Sequence, residues 1–218
     1  MQPGKFFRSV RRLGRAITNP YQVVRHEEAP EPAVYLCRHL SQHGPMVSLL
    51  WLPQPLHFWC LHVYMDKEAC RRHFAEYTLS QRCGLPQWLA NLLAYPVGAV
   101  MHKLCTSGNA IPVYRDRNSF KTMGASVKAL TQDQSILLFP DIDYTNREGG
   151  QELYDGFLYL ERFYYKATGR HLPFVPIFID DDEREIIIGK AIRFSSDEFD
   201  LQKAAILQQL NSALGGKF

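Results

Sequence analysis

The chain has 218 residues, of which 46% are hydrophobic and 22% are charged. This balance is typical of one globular domain and excludes a disordered tail, a collagen-like fibre and a coiled coil. The formal net charge is +3, but residues 1–26 contain six Lys and Arg residues and no carboxylate. The rest of the chain is therefore net acidic, which argues against a nucleic-acid partner.

Two further features of the composition predict where the protein works. The five cysteines are an odd number without a framework spacing, and no secretory signal precedes them, so we expect reduced thiols and a cytoplasmic protein. No run of about 18 uninterrupted apolar residues occurs, so we expect no membrane-spanning helix.

The first predicted element is a short amphipathic helix over residues 4–17. Its apolar side chains recur at helical spacing as Phe6, Val10, Leu13 and Ile17, with arginines on the other side. Such a helix can lie on an anionic membrane surface, which makes residues 1–26 a peripheral anchor on the inner face of a membrane. It can equally be a terminal helix packed on the domain, and both interpretations stay open.

Two prolines and three acids over residues 27–32 end this segment, so the main domain is predicted over residues 27–218. There, β-branched and aromatic runs alternate with helical patterns. The predicted strands are 33–38, 56–64, 110–115, 135–140, 174–180 and 185–194. The predicted helices are 66–80, 87–104, 119–130, 154–168 and 200–214. This alternation predicts a single-domain, layered α/β fold, with a mixed central sheet and helices on both faces.

The first candidate for chemistry is His39, which directly follows a predicted buried strand in the run 37–45, Cys-Arg-His-Leu-Ser-Gln-His-Gly-Pro. Ligands of α/β sheets bind at the carboxyl ends of strands. Imidazole titrates near neutral pH and can accept a proton from an alcohol. The alternative is that His39 and His43 are loop residues that cap backbone groups.

Three further segments accompany it along the chain. Residues 108–115 bring Arg115 to a strand end, and residues 136–141 (Ile-Leu-Leu-Phe-Pro-Asp) bring a carboxylate to another. Residues 156–177 combine a Gly-containing helix with a proline-rich strand. In this order and spacing, over roughly residues 33–195, the chain resembles the glycerolipid acyltransferase family, the lysophosphatidic-acid-acyltransferase-like enzymes of phospholipid synthesis.

The resemblance implies a role for each matched residue. His39 matches the catalytic histidine, Arg115 the arginine that helps hold the acceptor's phosphate, and Asp141 the acidic residue of the third block. The sequence departs from the family at Gly44, where the family has an aspartate, and at Arg38, where it has asparagine. It also lacks the Gly-Thr-Arg of the third block, because Ile-Asp-Tyr follows Asp141.

The missing aspartate calls for another carboxylate to orient His39. Asp141 and Asp143 are the candidates, because strand-end loops of one sheet edge converge. His43 is a weaker substitute base. Arg117 and Arg147 could join Arg115 in a cationic rim for acceptor phosphate or coenzyme A, with Arg115 and Arg117 on one face if the strand continued. The alternative for Arg117 and Arg147 is plain surface charge.

Residues 88–101 form a helical run that is nearly apolar all round and is bent or interrupted at Pro96. The run suits an acyl-binding groove, a segment that dips into a membrane, or a buried core helix. The sequence contains no Gly-rich phosphate loop and no nucleophile elbow, so direct acyl transfer is favoured over an acyl-enzyme. We predict no metal and no cofactor.

Together these features predict an acyltransferase with a histidine base. The acyl donor would be a thioester of coenzyme A or acyl carrier protein. The acceptor would be a hydroxyl of a lysophospholipid or a related molecule. The alternative is a catalytically silent relative that binds acyl or lipid ligands.

Overall fold

The computed structural model describes residues 2–28, 30–142, 152–196 and 198–216. The strands are β1 (Gln22–Arg25), β2 (Val34–Cys37), β3 (His57–Leu61), β4 (Ala110–Val113), β5 (Ile136–Leu138), β6 (Phe174–Asp180) and β7 (Glu185–Ile188). The α-helices are α1 (Lys5–Ile17), α2 (His43–Trp51), α3 (Lys67–His73), α4 (Gln87–Ser107), α5 (Ser119–Leu130), α6 (Tyr159–Thr168) and α7 (Phe199–Ala213).

The seven strands form one mixed sheet in the order β1-β7-β6-β2-β5-β3-β4. The five strands from β6 to β4 in this order run parallel. Strand β7 returns antiparallel to β6, and β1 pairs parallel with β7 at the far side. The predicted α/β class and mixed sheet are confirmed, and the carboxyl ends of five strands meet at one edge.

The sheet is covered on both faces, as alternate residues of β2 show. Val34 and Leu36 belong to a core formed with α5, α6 and α7. Tyr35 and Cys37 belong to a second core formed with α1, α2 and α4. All four β2 residues are buried, which explains why this strand reads in the sequence as a continuous apolar run and not as an alternation.

The N-terminal segment is packed on the domain. Phe7 of α1 is buried, the Gly4 N–H donates to the Ser107 carbonyl at 2.7 Å, and Arg11 Nε donates to the Leu50 carbonyl at the end of α2 at 2.9 Å. Strand β1, which the sequence analysis did not predict, adds residues 22–25 to the sheet edge. On the remaining surface of α1, Leu13 and Ile17 are exposed.

Two local differences from the predicted elements affect the site. The helix expected over 66–80 is α3 followed by a π-helix over Phe74–Arg82, a form that occurs often near functional sites. Strand β4 ends at Val113, so Arg115 and Arg117 lie in the turn before α5 and do not share a strand face. Among the described residues, no helix is long and apolar enough to cross a membrane.

Candidate functional site at the carboxyl edge of the sheet

The carboxyl edge brings together the ends of strands that are far apart in sequence. Crossing from β6 to β4, the chain leaves these strands at Asp181, Arg38, Phe139, His62 and Tyr114. Because β2 and β5 are neighbours, the predicted residues His39 and Asp141 lie side by side. The expected convergence of these two strand ends is present in the structure.

A buried ion pair joins β2 to β5. Arg38 Nη1 lies 2.9 Å from Asp141 Oδ1, and only 6% and 7% of the two side chains are exposed. The other oxygen, Oδ2, accepts the main-chain N–H of His39 at 2.6 Å. Arg38 also donates to Asn211 of α7. Asp141 therefore holds the backbone of His39, and its two oxygens are engaged by Arg38 and by that N–H.

The ring of His39 is held by a different contact. Its Nδ1 accepts the Gln42 N–H at 3.2 Å, and its ring lies edge-on to Phe139 with centroids 5.8 Å apart. A neutral imidazole that accepts at Nδ1 carries its proton on Nε2. In this arrangement His39 presents Nε2–H as a donor, whereas a base acting through Nε2 needs the proton on Nδ1.

The turn that follows His39 has an unusual backbone. Leu40, Ser41 and Gln42 have φ values of 43°, 51° and 85°, and three consecutive non-glycine residues in the left-handed region are rare. The Ser41 hydroxyl accepts from Arg82 Nη2 at 2.9 Å. Each such residue costs on the order of 1–3 kcal/mol, so the surrounding contacts must hold this turn in place.

At the end of the same turn, the main chain at Gly44 passes very close to that of Arg38 and His39. Its N–H donates to the His39 carbonyl at 3.1 Å, and a Cβ built at this position would lie 1.7 Å from the Arg38 carbonyl oxygen. No side chain fits there unless the backbone moves. The turn around His39 is therefore built for glycine, and an aspartate at position 44 is incompatible with it.

The cysteine beside this loop is not an activated nucleophile. Cys37 is fully buried, and burial raises the pKa of its thiol to about 12. The Ser48 hydroxyl donates to its sulfur at 3.4 Å. Since the thiolate is the reactive form of cysteine, Cys37 is a packing residue.

Only part of the predicted cationic rim lies within the residues that the structure describes. Arg115 and Arg117 are exposed and follow β4, which lies three strand spacings from β2 in the sheet. At about 4.8 Å per spacing, their strand end lies roughly 14 Å from that of β2. An Arg115 side chain must extend over β3 to share one acceptor with His39. Asp143 and Arg147 lie outside the described residues.

A second histidine–carboxylate pair lies at the same edge. His43 Nε2 is 2.7 Å from Asp181 Oδ1, and the Tyr21 hydroxyl donates to the same oxygen at 2.5 Å. The Arg184 guanidinium lies 4.5 Å from the centre of the Tyr21 ring. Burial and the bond to Asp181 raise the pKa of Tyr21 to about 12.

His43 was a candidate from the sequence, but its pairing with Asp181 was not predicted. Only the strand order, which places β6 next to β2, brings the two together. The buried role of Arg38 was also missed, since in the sequence it stood out only as a difference from the family that the chain resembles.

A cavity of about 420 Å³ lies at the opposite end of the sheet. Its lining includes His171, three residues before β6, and Glu161, whose carboxylate accepts the His171 ring Nδ1–H at 2.6 Å and the Leu172 N–H at 2.7 Å. This cavity does not adjoin His39. Within the ranges described above, no group of three or more ligating side chains could hold a metal ion.

Comparison of the chain with models of protein families, with curated proteins and with solved structures finds no match.

Proposed function

We propose that this protein transfers an acyl group from a thioester donor to the hydroxyl of a lysophospholipid-like acceptor, with His39 as the base. The observation that carries the proposal is the turn that presents His39. Three consecutive left-handed residues follow it at the carboxyl edge of the five parallel strands. Backbone strain of this kind clusters at functional sites, and this edge is where α/β sheets bind ligands.

The proposed reaction is a direct transfer. His39 takes the proton of the acceptor hydroxyl, and the alkoxide oxygen attacks the carbonyl carbon of the thioester. The new C–O bond forms as the C–S bond breaks, and the leaving thiolate takes up the proton from the imidazolium. The donor would be acyl-coenzyme A or acyl carrier protein, and no metal or other cofactor takes part.

The proposal requires a change at the His39 ring. Nε2 can act as a base only when the ring proton is on Nδ1, where the Gln42 N–H now donates. The left-handed turn at Leu40–Gln42 must therefore move when substrate binds. Catalytic hydrogen bonds often form only in the substrate complex, and relaxation of a strained turn would help to drive the change.

The acceptor's phosphate would lie on the side of β4. Arg115 is proposed to bind it, with Arg117 and Arg147 as further members of the rim, since arginine forks fit phosphate oxygens. Asp141 would act as a positioning residue, because it holds the His39 backbone. The proposed setting is the cytoplasmic face of a membrane with anionic lipid, in phospholipid synthesis.

The test measures acyl transfer by purified protein, using a panel of acyl thioesters with lysophosphatidic acid and with soluble glycerol phosphate as acceptors. We expect His39→Ala to lower turnover by about 10²–10⁴-fold, as loss of a general base does. We expect His43→Ala to retain most activity. Equal turnover of wild type and His39→Ala, or loss of turnover only in His43→Ala, would overturn the role of His39.

A second candidate, a catalytically silent acyl or lipid binder, is favoured by the present geometry of His39. Its Nδ1 is occupied by a donor, and Asp141 accepts from its main-chain N–H. This candidate predicts saturable binding of a non-reactive acyl thioester analogue, with no transfer to any acceptor in the panel. Binding weakened by Arg115→Gln in the absence of turnover would support it.

A further inference from the structure

Helix α4 exposes an apolar surface of a kind that a water-facing helix does not normally present. Between Gln87 and Met101 the sequence contains no charged residue, and only Ala90, Ala94 and Gly98 in this stretch are buried. The large exposed side chains are Trp88, Leu92, Leu93, Tyr95, Val97 and Val100. Contiguous exposed apolar surface of this kind usually marks an interface.

This surface lies towards the carboxyl edge of the sheet, which is the edge that carries His39. The His102 ring donates from Nδ1–H to the Tyr64 carbonyl at 3.0 Å, and Tyr64 lies three residues beyond the carboxyl end of β3. Helix α4 runs from Gln87 to Ser107 and then leads into β4. The part of α4 before His102 therefore projects past the carboxyl edge of the sheet.

Positive charge adjoins this surface at its C-terminal end. Helices α1 and α4 pack together through Gly4, Phe7 and Ser107, and the two helices contain six Lys and Arg residues and no carboxylate. Lys103 of α4 lies 4.8 Å from the centre of the Phe6 ring. The exposed Leu13 and Ile17 of α1 follow Phe6 at helical spacing.

Where the apolar surface of α4 borders α3, an aromatic ring lies beside a cation. The Arg71 guanidinium lies 4.8 Å from the centre of the Tyr95 ring and also pairs with Glu68. Tyrosine and tryptophan prefer the interface between lipid tails and headgroups. Cations beside an apolar surface are attracted to anionic headgroups, which strengthens binding to the membrane.

We propose that the exposed surface of α4 docks on an anionic lipid bilayer. Trp88, Leu92 and Val100 enter the interface, and Lys103 together with Arg8 and Arg12 of α1 contacts lipid phosphates. A second copy of the chain is a poorer occupant, because two such surfaces placed face to face would bring the cations of both copies together. This docking places the carboxyl edge of the sheet near the membrane and does not depend on the chemistry of His39.

The test is flotation with vesicles of phosphatidylcholine alone and of phosphatidylcholine with phosphatidylglycerol. We expect wild type to bind the anionic vesicles, less so at high salt, and Trp88→Glu/Leu92→Glu to lose at least tenfold in partitioning. Leu201→Glu is the matched control, since Leu201 is an exposed leucine on α7 at the other face of the sheet. It should partition like wild type.

Three results would overturn the proposal: no binding by wild type, unchanged binding by Trp88→Glu/Leu92→Glu, or equal loss in Leu201→Glu. Sedimentation of the protein without lipid tests whether a second copy of the chain covers the surface instead. A wild-type dimer that Leu92→Glu converts to a monomer would assign the surface to a second copy. Transfer to a soluble acceptor, measured in parallel, separates failure of docking from failure of the proposed catalysis, and circular dichroism checks that each variant is folded.

Discussion

Gly44 is the residue whose environment most limits how the site can be altered. A Cβ there would lie 1.7 Å from the Arg38 carbonyl oxygen and 3.3 Å from that of His39, and both contacts are with backbone that is held in place by Asp141. An aspartate therefore cannot simply be introduced at this position. Any carboxylate that orients the His39 ring would have to come from another part of the chain.

We predict that Gly44→Ala and Gly44→Asp each destabilise the protein by about 3 kcal/mol or more, because the loop must be rebuilt to admit a Cβ. Neither variant should gain acyl transfer. The measurement is the free energy of unfolding from urea denaturation.

Gly124→Ala is the control for this prediction. Gly124 is exposed within α5, and a Cβ there meets nothing within 4 Å. Alanine in an open helix position should raise stability by up to about 1 kcal/mol. If Gly44→Ala is as stable as wild type, the close approach between residues 38 and 44 is not a feature of the folded protein.

At the scale of elements, the Arg38–Asp141 pair fastens three parts of the fold at the candidate site. It joins the ends of β2 and β5, and Arg38 also reaches Asn211 of α7. A buried pair of this kind adds little net stability compared with apolar packing, but removing one partner leaves an uncompensated charge. The pair is therefore better understood as fixing geometry than as adding stability.

We predict that Asp141→Ala lowers the free energy of unfolding by about 3–5 kcal/mol, because it leaves the Arg38 guanidinium buried without its carboxylate and frees the His39 N–H. Unfolding in urea measures the loss. Asp155→Ala breaks the more exposed pair with Lys203 and should cost less than about 1 kcal/mol. Similar losses in the two variants would mean that Arg38 and Asp141 are not a buried pair.

For the molecule as a whole, the alternation of strand and helix patterns was enough to predict the α/β class. Helix α5 and strand β6 have the predicted bounds, because each is a clear periodic or β-branched run with turn residues on both sides. Strand β1 was missed because Gln22–Arg25 is only four residues long and half-exposed. Its pairing with β7 comes from tertiary contacts that no local pattern encodes.

The candidate site was predictable in position but not in its contacts. His39 and Asp141 follow strands of apolar residues, so their meeting at one sheet edge could be inferred from the sequence. One oxygen of Asp141 accepts the His39 N–H, and the other pairs with Arg38. These contacts depend on differences of a few ångströms in side-chain placement. The pairing of His43 with Asp181 depends on strand order, which the sequence did not specify.

The stability of the whole fold should depend on pH through its buried thiols. All five cysteines are free thiols, and Cys37, Cys70 and Cys105 are buried. Burial raises the pKa of Cys37 from 9.0 to about 12 and that of Cys70 to about 11. The hydrogen bond with Cys60 and burial raise the pKa of Cys105 as well. The unfolded chain releases these protons more readily than the folded chain. The contribution of these thiols to the free energy of unfolding is therefore complete below pH 9 and falls as pH rises from 9 towards 12.

Cys37→Ala should reduce this slope by about 1 kcal/mol per pH unit, whatever it does to the stability at neutral pH, because one proton-releasing group is removed from the unfolding reaction. Cys83→Ala, at an exposed thiol, should leave the slope unchanged. Urea denaturation at intervals between pH 8 and about 10.5 gives both slopes. Identical slopes for wild type and Cys37→Ala would show that the Cys37 thiol ionises as readily in the folded protein as in the unfolded chain, which contradicts its burial between the central sheet and α2.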